Sequence, residues 1–115
     1  MPEAAIDLAT YRELQQAAGA DFVVELIETF LEEAPQMLAE LRAARSAAHA
    51  ERFRRAAHSL KSNGHTFGAL HLAALARELE LKGLNADPHR DAAALDAIDA
   101  AFADAASALQ ELGRG

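Results

Sequence analysis

The C-terminal part of the chain constrains the fold most. Leu95, Ile98, Phe102, Ala105, Leu109 and Leu112 recur at steps of three and four, a spacing that gathers side chains on one stripe of an α-helix and scatters them on a strand. A helix with one apolar stripe must bury it against other helices. Upstream segments supply them: Phe22, Val23, Leu26, Ile27, Phe30 and Leu31 form such a stripe, Leu38, Leu41 and Ala44 resume it beyond Pro35, and Leu72, Leu75 and Leu79 form another. There is no strand-like alternation, and Ala is abundant while the three Pro and six Gly fall mostly at junctions, which favours helix almost throughout. The expected fold is all-α, a single domain over residues 1–115: an antiparallel four-helix bundle with a short N-terminal helix over one end. Ala56, Ala57, Ala76 and Ala105 are small enough to let its backbones approach closely.

Junction residues suggest the boundaries. Asp7 is a cap and Gly19 a stop for a first helix to Ala18 that carries Leu8, Tyr11 and Leu14. Pro35 implies a kink, or a new helix capped near Glu33. A helix entered after Ser46–Ala50 is expected to stop near Asn63, with Gly64 as its left-handed C-terminal residue and Thr66 capping the next helix, about Phe67 to Lys82, closed by Gly83. On that reading His65 leaves the helical face at a turn. Leu70 and Leu81 fall off the stripe, either seating the N-terminal helix or remaining exposed. The turn Asn85-Ala86-Asp87-Pro88 leads into the last helix.

Charge and length exclude several classes. A chain of 115 residues suits one compact domain with a core. It has no Cys, hence neither disulfides nor thiolate metal sites. Eleven basic against eighteen acidic residues, a formal charge of −7, argue against general nucleic-acid binding. The opening MPEAAIDLAT lacks the basic flank and apolar run of a signal peptide, and no stretch approaches the ~18 apolar residues of a membrane span. A cytoplasmic monomer without membrane contact is expected. Glu25, Glu28, Glu32 and Glu33 read as a solvated outer face. Yet Arg52, Arg54, Arg55 and Lys61 place four of the eleven basic residues within one short stretch, a cationic island suited to an acidic partner pocket.

His58 sits in that island. At about 100° per residue, Phe53, Ala56, Ala57, Leu60 and Gly64 gather on one side of its helix and His58 on the other, with Arg54, Arg55, Lys61, Ser62 and His65 at offsets of three, four and seven. An outward imidazole in a cationic ring suits an anion. A surface histidine on an ordinary charged face has the same spacing, and composition does not separate the two. Of the five histidines, His49, His58, His65, His71 and His89, no two stand three or four apart, so a helical metal pair is disfavoured.

The run Ala57-His58-Ser59-Leu60-Lys61, then Phe67-Gly68-Ala69, Leu72, Leu75 and Glu78-Leu79-Glu80, resembles the signature of histidine-containing phosphotransfer (HPt) domains: Ala-His-x-Leu-Lys, a Gly ten residues after the His, and a Leu-Glu pair further on. Phe22 to Pro35 is similar to the family's first long helix. Ser62 stands where the family commonly has Gly, and Asn63 and Gly64 where small Ser residues follow; a hydroxyl is still small, and the change reads as tolerated. The resemblance implies that His58 carries a phosphoryl group to or from the aspartate of a response-regulator receiver domain, or accepts it from a sensor or hybrid histidine kinase. Lys61 is the matching catalytic lysine, and Arg54, Arg55, Ser62 and Gly68 support it or dock the partner. It implies no cofactor here, the divalent metal belonging to the partner's receiver domain. A carrier, not an autonomous kinase, also fits the absence of a Gly-rich phosphate loop of the P-loop kind. Neutral imidazole, with an ordinary pKa of ~6.5, is a competent phosphoryl acceptor near neutrality. Lys61 stands ~60° from His58 on the helical wheel and well away from the Leu60 stripe, so its truncation to Ala is expected to remove no core packing and to change stability by less than ~0.5 kcal/mol. The alternative is a helical interaction module that docks and blocks a receiver or kinase without carrying phosphate, and binds equally well with His58 replaced by Gln.

Overall fold

The computed structural model of the chain describes residues 5–84 and 87–114, and all regular structure among them is helical. Five helices follow in order: α1, Leu8–Ala18; α2, Ala20–Ser46; α3, Ala50–Phe67; α4, Leu70–Lys82; and α5, Pro88–Arg114. Of the expected turn before α5, Asn85 and Ala86 lie outside the described residues.

α1 begins as its sequence suggests. Asp7 is extended, and its carboxylate accepts hydrogen bonds from the Thr10 backbone N–H and hydroxyl, supplying one partner that a helix start lacks. Ile6 and Tyr11 are buried, whereas Leu8 is exposed. α2 packs on α3 and α5, and α4 packs on the same two, closing a ring; α1 lies against α2 and α3. Specific contacts fix each pairing. Phe30 of α2 stacks at 5.0 Å on Phe67 and at 5.7 Å, edge-on, on Phe102, joining α2, α3 and α5. Arg45 pairs at 2.7 Å with the buried Asp91 and Arg42 pairs with Asp96 and Asp99, tying the end of α2 to the start of α5. Gly113 lies beside Ile27 at the opposite ends of the same two helices.

The core is the union of the stripes. Val23, Leu41, Phe53, Leu60, Leu72, Ile98 and Leu109 are fully buried, each larger side chain contributing roughly 1.5–3 kcal/mol by leaving water. Ala56, Ala57, Ala76 and Ala105 are buried between them. Phe22, read as part of the α2 stripe, is instead half exposed.

Two boundaries are decided by packing. Of the two alternatives at Pro35, a kink or a new helix capped near Glu33, the second is excluded, because α2 runs through Pro35 as one helix. Proline forfeits one hydrogen bond, but its ring lies on the exposed side, while Phe30 and Ala34 before it and Leu41 and Ala44 after it are buried in one core. Packing outweighs the lost bond. Against expectation, α3 continues past Asn63 to Phe67. Gly64 is helical and buried because α4 approaches there: a Cβ would lie 3.1 Å from Ala73 Cβ and 3.2 Å from the Ala69 carbonyl oxygen. The left-handed residue is Gly68, φ +79°. Its N–H bonds the His65 carbonyl at 3.2 Å while Ala69 N–H bonds that of Gly64 at 2.8 Å, the paired pattern of a Schellman close. Thr66 caps nothing; it lies within α3 with its hydroxyl bonded to the Ser62 carbonyl. Leu70 and Leu81 remain exposed.

Candidate functional site

α3 presents the site. It starts at His49, extended, whose Nδ1 accepts the Arg52 N–H at 3.2 Å. Phe53, Ala56, Ala57, Leu60, Gly64 and Phe67 form the buried side, so the helical repeat turns Arg54, Arg55, His58, Ser62 and His65 to solvent. His65 therefore keeps its place on the helix, two turns from His58, and does not leave at a turn.

The His58 side chain is 55% exposed, yet one ring nitrogen is held: Nδ1 lies 2.8 Å from Oε2 of Glu80 on α4. Oε1 of the same carboxylate is sealed from solvent and lies 2.7 Å from Lys61 Nζ. Lys61 above all, and His58 after it, hold the Glu80 carboxyl below its ordinary pKa against a smaller opposing effect of burial. Glu80 is accordingly ionised near neutrality, and an ionised carboxylate only accepts hydrogen bonds. In the neutral ring the proton must then sit on Nδ1, leaving the lone pair on Nε2. A carboxylate that fixes the tautomer from one side makes the other nitrogen a nucleophile.

The cations around His58 are less free than their count suggests. Arg54 binds Glu51 through Nε at 3.1 Å and a terminal nitrogen at 2.6 Å, and Arg55 Nε reaches the same carboxylate at 3.2 Å. Arg54 foremost, with Arg55, holds the Glu51 carboxyl below its ordinary value. Arg52 is bidentate to Glu40 of α2, both contacts at 2.9 Å. Arg54, Arg55 and Lys61 thus face Glu51 and Glu80, three positive charges against two negative, and the island carries about one net charge. Lys61 is no idle surface residue. Its side chain is 25% exposed and is the counterion of a sealed oxygen, a contact that the reading of Lys61 as free of structural partners did not include.

Ser62 is exposed, one helical turn from His58. Gly68 belongs to a different place. It is buried at the far end of α3, its carbonyl accepts the Asp7 N–H at 2.7 Å, and a Cβ would come 2.7 Å from the Asp7 carbonyl oxygen. It seats the N-terminal segment and offers no docking surface. Glu80 was the site residue that sequence reasoning passed over. The signal was present: on a helical wheel Glu80 falls between the buried Ala73 and Ala76, and a carboxylate on a buried arc must find a cation.

Among the described residues, no three His, Asp or Glu side chains converge as a metal-holding group, and no helix is long and apolar enough to cross a membrane. A family model described as Hpt domain matches residues 25–112. No curated protein and no solved structure matches the chain.

Proposed function

The chain belongs to the Hpt domain family, which serves phosphotransfer in phosphorelay signalling, and from that premise we propose that His58 is the residue that carries the phosphoryl group, on Nε2. The observation that supports this is the Glu80 contact: an exposed imidazole whose Nδ1 is engaged by a carboxylate at 2.8 Å.

In this reading the Nε2 lone pair attacks the phosphorus of a receiver's aspartyl phosphate. The N–P bond forms, the P–O bond to the aspartate breaks, and the aspartate leaves as a carboxylate. The proton on Nδ1 stays in place, and Glu80 offsets the positive charge of the phosphorylated ring. In the reverse direction the bond electrons return to Nε2 and the ring leaves as neutral imidazole, still holding its Nδ1 proton. No base has to move, which suits a carrier that works both ways. Lys61, one turn along, shifts part of its charge from Glu80 to the phosphoryl oxygens, and Arg54 approaches from the same side. The receiver supplies the divalent metal and the acidic pocket; a histidine kinase is the other source of phosphate. The proposed scaffold is an antiparallel four-helix bundle with α1 over one end, acting as a cytoplasmic monomer. The opposed pairings of α2 with α5 support that arrangement.

The test is transfer from phosphorylated receiver domains to the wild type and to His58→Gln. Acid-labile, alkali-stable phosphate on the wild type alone is the expected result. Equal labelling of the two proteins excludes His58.

A further inference from the structure

Beside His58, α2 and α3 together line an open surface depression of about 460 Å³. Its floor is apolar, formed by the half-buried Met37 and the buried Ala56. The Arg52–Glu40 ion pair, bidentate at 2.9 Å, closes one end. Arg55, bound to Glu51, forms the α3 rim. Glu33 stands on the α2 rim, exposed and with no hydrogen-bond or ion-pair partner among the described residues. Every other charged side chain that lines the depression is engaged.

The depression begins at Ser59, the residue after His58. A protein that brings an acceptor carboxylate in line with Nε2 buries several hundred Å² around His58 even in a weak interface, and ground that starts at the neighbouring Ser59 is within reach of such a footprint. On the α4 side of His58, Lys61 and Glu80 are already paired with each other. On the α2 side the surface is an apolar floor with one uncompensated carboxylate. We propose that this depression selects the partner: it seats an aliphatic side chain of the docking protein over Met37 and Ala56, next to a Lys or Arg that meets Glu33. The inference rests on the phosphotransfer reading and adds its specificity element. Chemistry at His58 is common to any receiver, whereas a matched aliphatic and basic pair is not.

The experiment follows onward transfer. Wild type, Glu33→Lys and Met37→Ala are loaded on His58 with phosphoramidate, a donor too small to need docking. Transfer to a panel of receiver domains from the same cell is then measured as kcat and KM. With the receiver that the wild type serves best, Glu33→Lys is expected to lower kcat/KM by about tenfold through KM, kcat being retained. Met37→Ala is expected to act in the same sense, by about fivefold. Replacing the facing basic residue of that receiver by Glu restores transfer to Glu33→Lys. Unchanged kcat/KM in both variants overturns the proposal, as does a loss confined to kcat. Failure of the loaded wild type to transfer to any receiver counts instead against the phosphotransfer reading.

Discussion

At the scale of single residues the site is one carboxylate shared by two cationic or potentially cationic groups. Glu80 touches His58 with one oxygen and Lys61 with the other. Both contacts favour its ionised form, so its pKa is lower folded than unfolded. The stability this contributes is fully present above the ordinary glutamate value of 4.5 and is lost as the pH falls through the lower folded value. Glu80→Gln is therefore expected to melt below the wild type at neutral pH, with a gap that narrows as the pH falls below the ordinary glutamate value of 4.5. Melting curves of the two proteins between neutral and acid pH check this, and a constant gap contradicts it. The same pair decides what Lys61 does. Lys61→Ala removes a cation from the phosphoryl group, which is expected to slow transfer about tenfold to a hundredfold. It also strands a sealed oxygen, so its melting point should fall further than that of Arg55→Ala, whose side chain is 73% exposed. Transfer lost with melting unchanged from Arg55→Ala shows that Glu80 does not need Lys61.

At the scale of helices, two glycines do opposite jobs. Gly64 lies inside α3 and lets α4 close in; Gly68 ends α3 in the left-handed region and receives Asp7. An alanine at position 68 must adopt φ near +79° and place its Cβ 2.7 Å from a backbone oxygen. The conformational part alone costs about 1–2 kcal/mol, and the clash adds to it. Gly68→Ala is expected to free the start of α1 first. Hydrogen exchange at the Asp7 amide, which bonds the Gly68 carbonyl, should accelerate well beyond that in α3 and α5. An Asp7 amide as protected as in the wild type rules out this seating role. These two positions also show what the sequence discloses and what it conceals. The apolar stripes, the Asp7 cap and the Gly19 and Gly83 stops are legible because they follow from local periodicity and local hydrogen bonding. Whether Gly64 or Gly68 ends α3 is not local. It depends on α4 lying against position 64, and that contact is made by residues many positions away. Pro35 leaves the matter open for the same reason: its local preference allows a new helix as well as a continued one, and burial on either side of it decides for continuation.

At the scale of the whole molecule the issue is how a chain of formal charge −7 would meet the acidic pocket proposed for its partner. Counting residues gives a cationic patch of several charges, but the fold pairs most of them: Arg54 and Arg55 with Glu51, Arg52 with Glu40, Lys61 with Glu80. With about one net charge around His58 on a chain of formal charge −7, electrostatic steering should be shallow. Association is expected to slow by less than about threefold between 0.05 and 0.5 M salt. Glu51→Gln releases both arginines and should raise the low-salt association rate and steepen its salt dependence. Stopped-flow association across a salt series measures both; a steep slope in the wild type and none added by Glu51→Gln contradicts the pairing. His58 was legible through its motif, but the nitrogen proposed to carry the phosphoryl group was not. That depends on Glu80, brought from α4 to within hydrogen-bond reach of one ring nitrogen. The most direct test of this assignment is nitrogen-15 and phosphorus-31 NMR of the phosphorylated protein with labelled histidine. A single phosphoramidate on Nε2 of His58, with the proton retained on Nδ1, is the expected result. Phosphate on Nδ1, on another residue, or persisting in His58→Gln would contradict it.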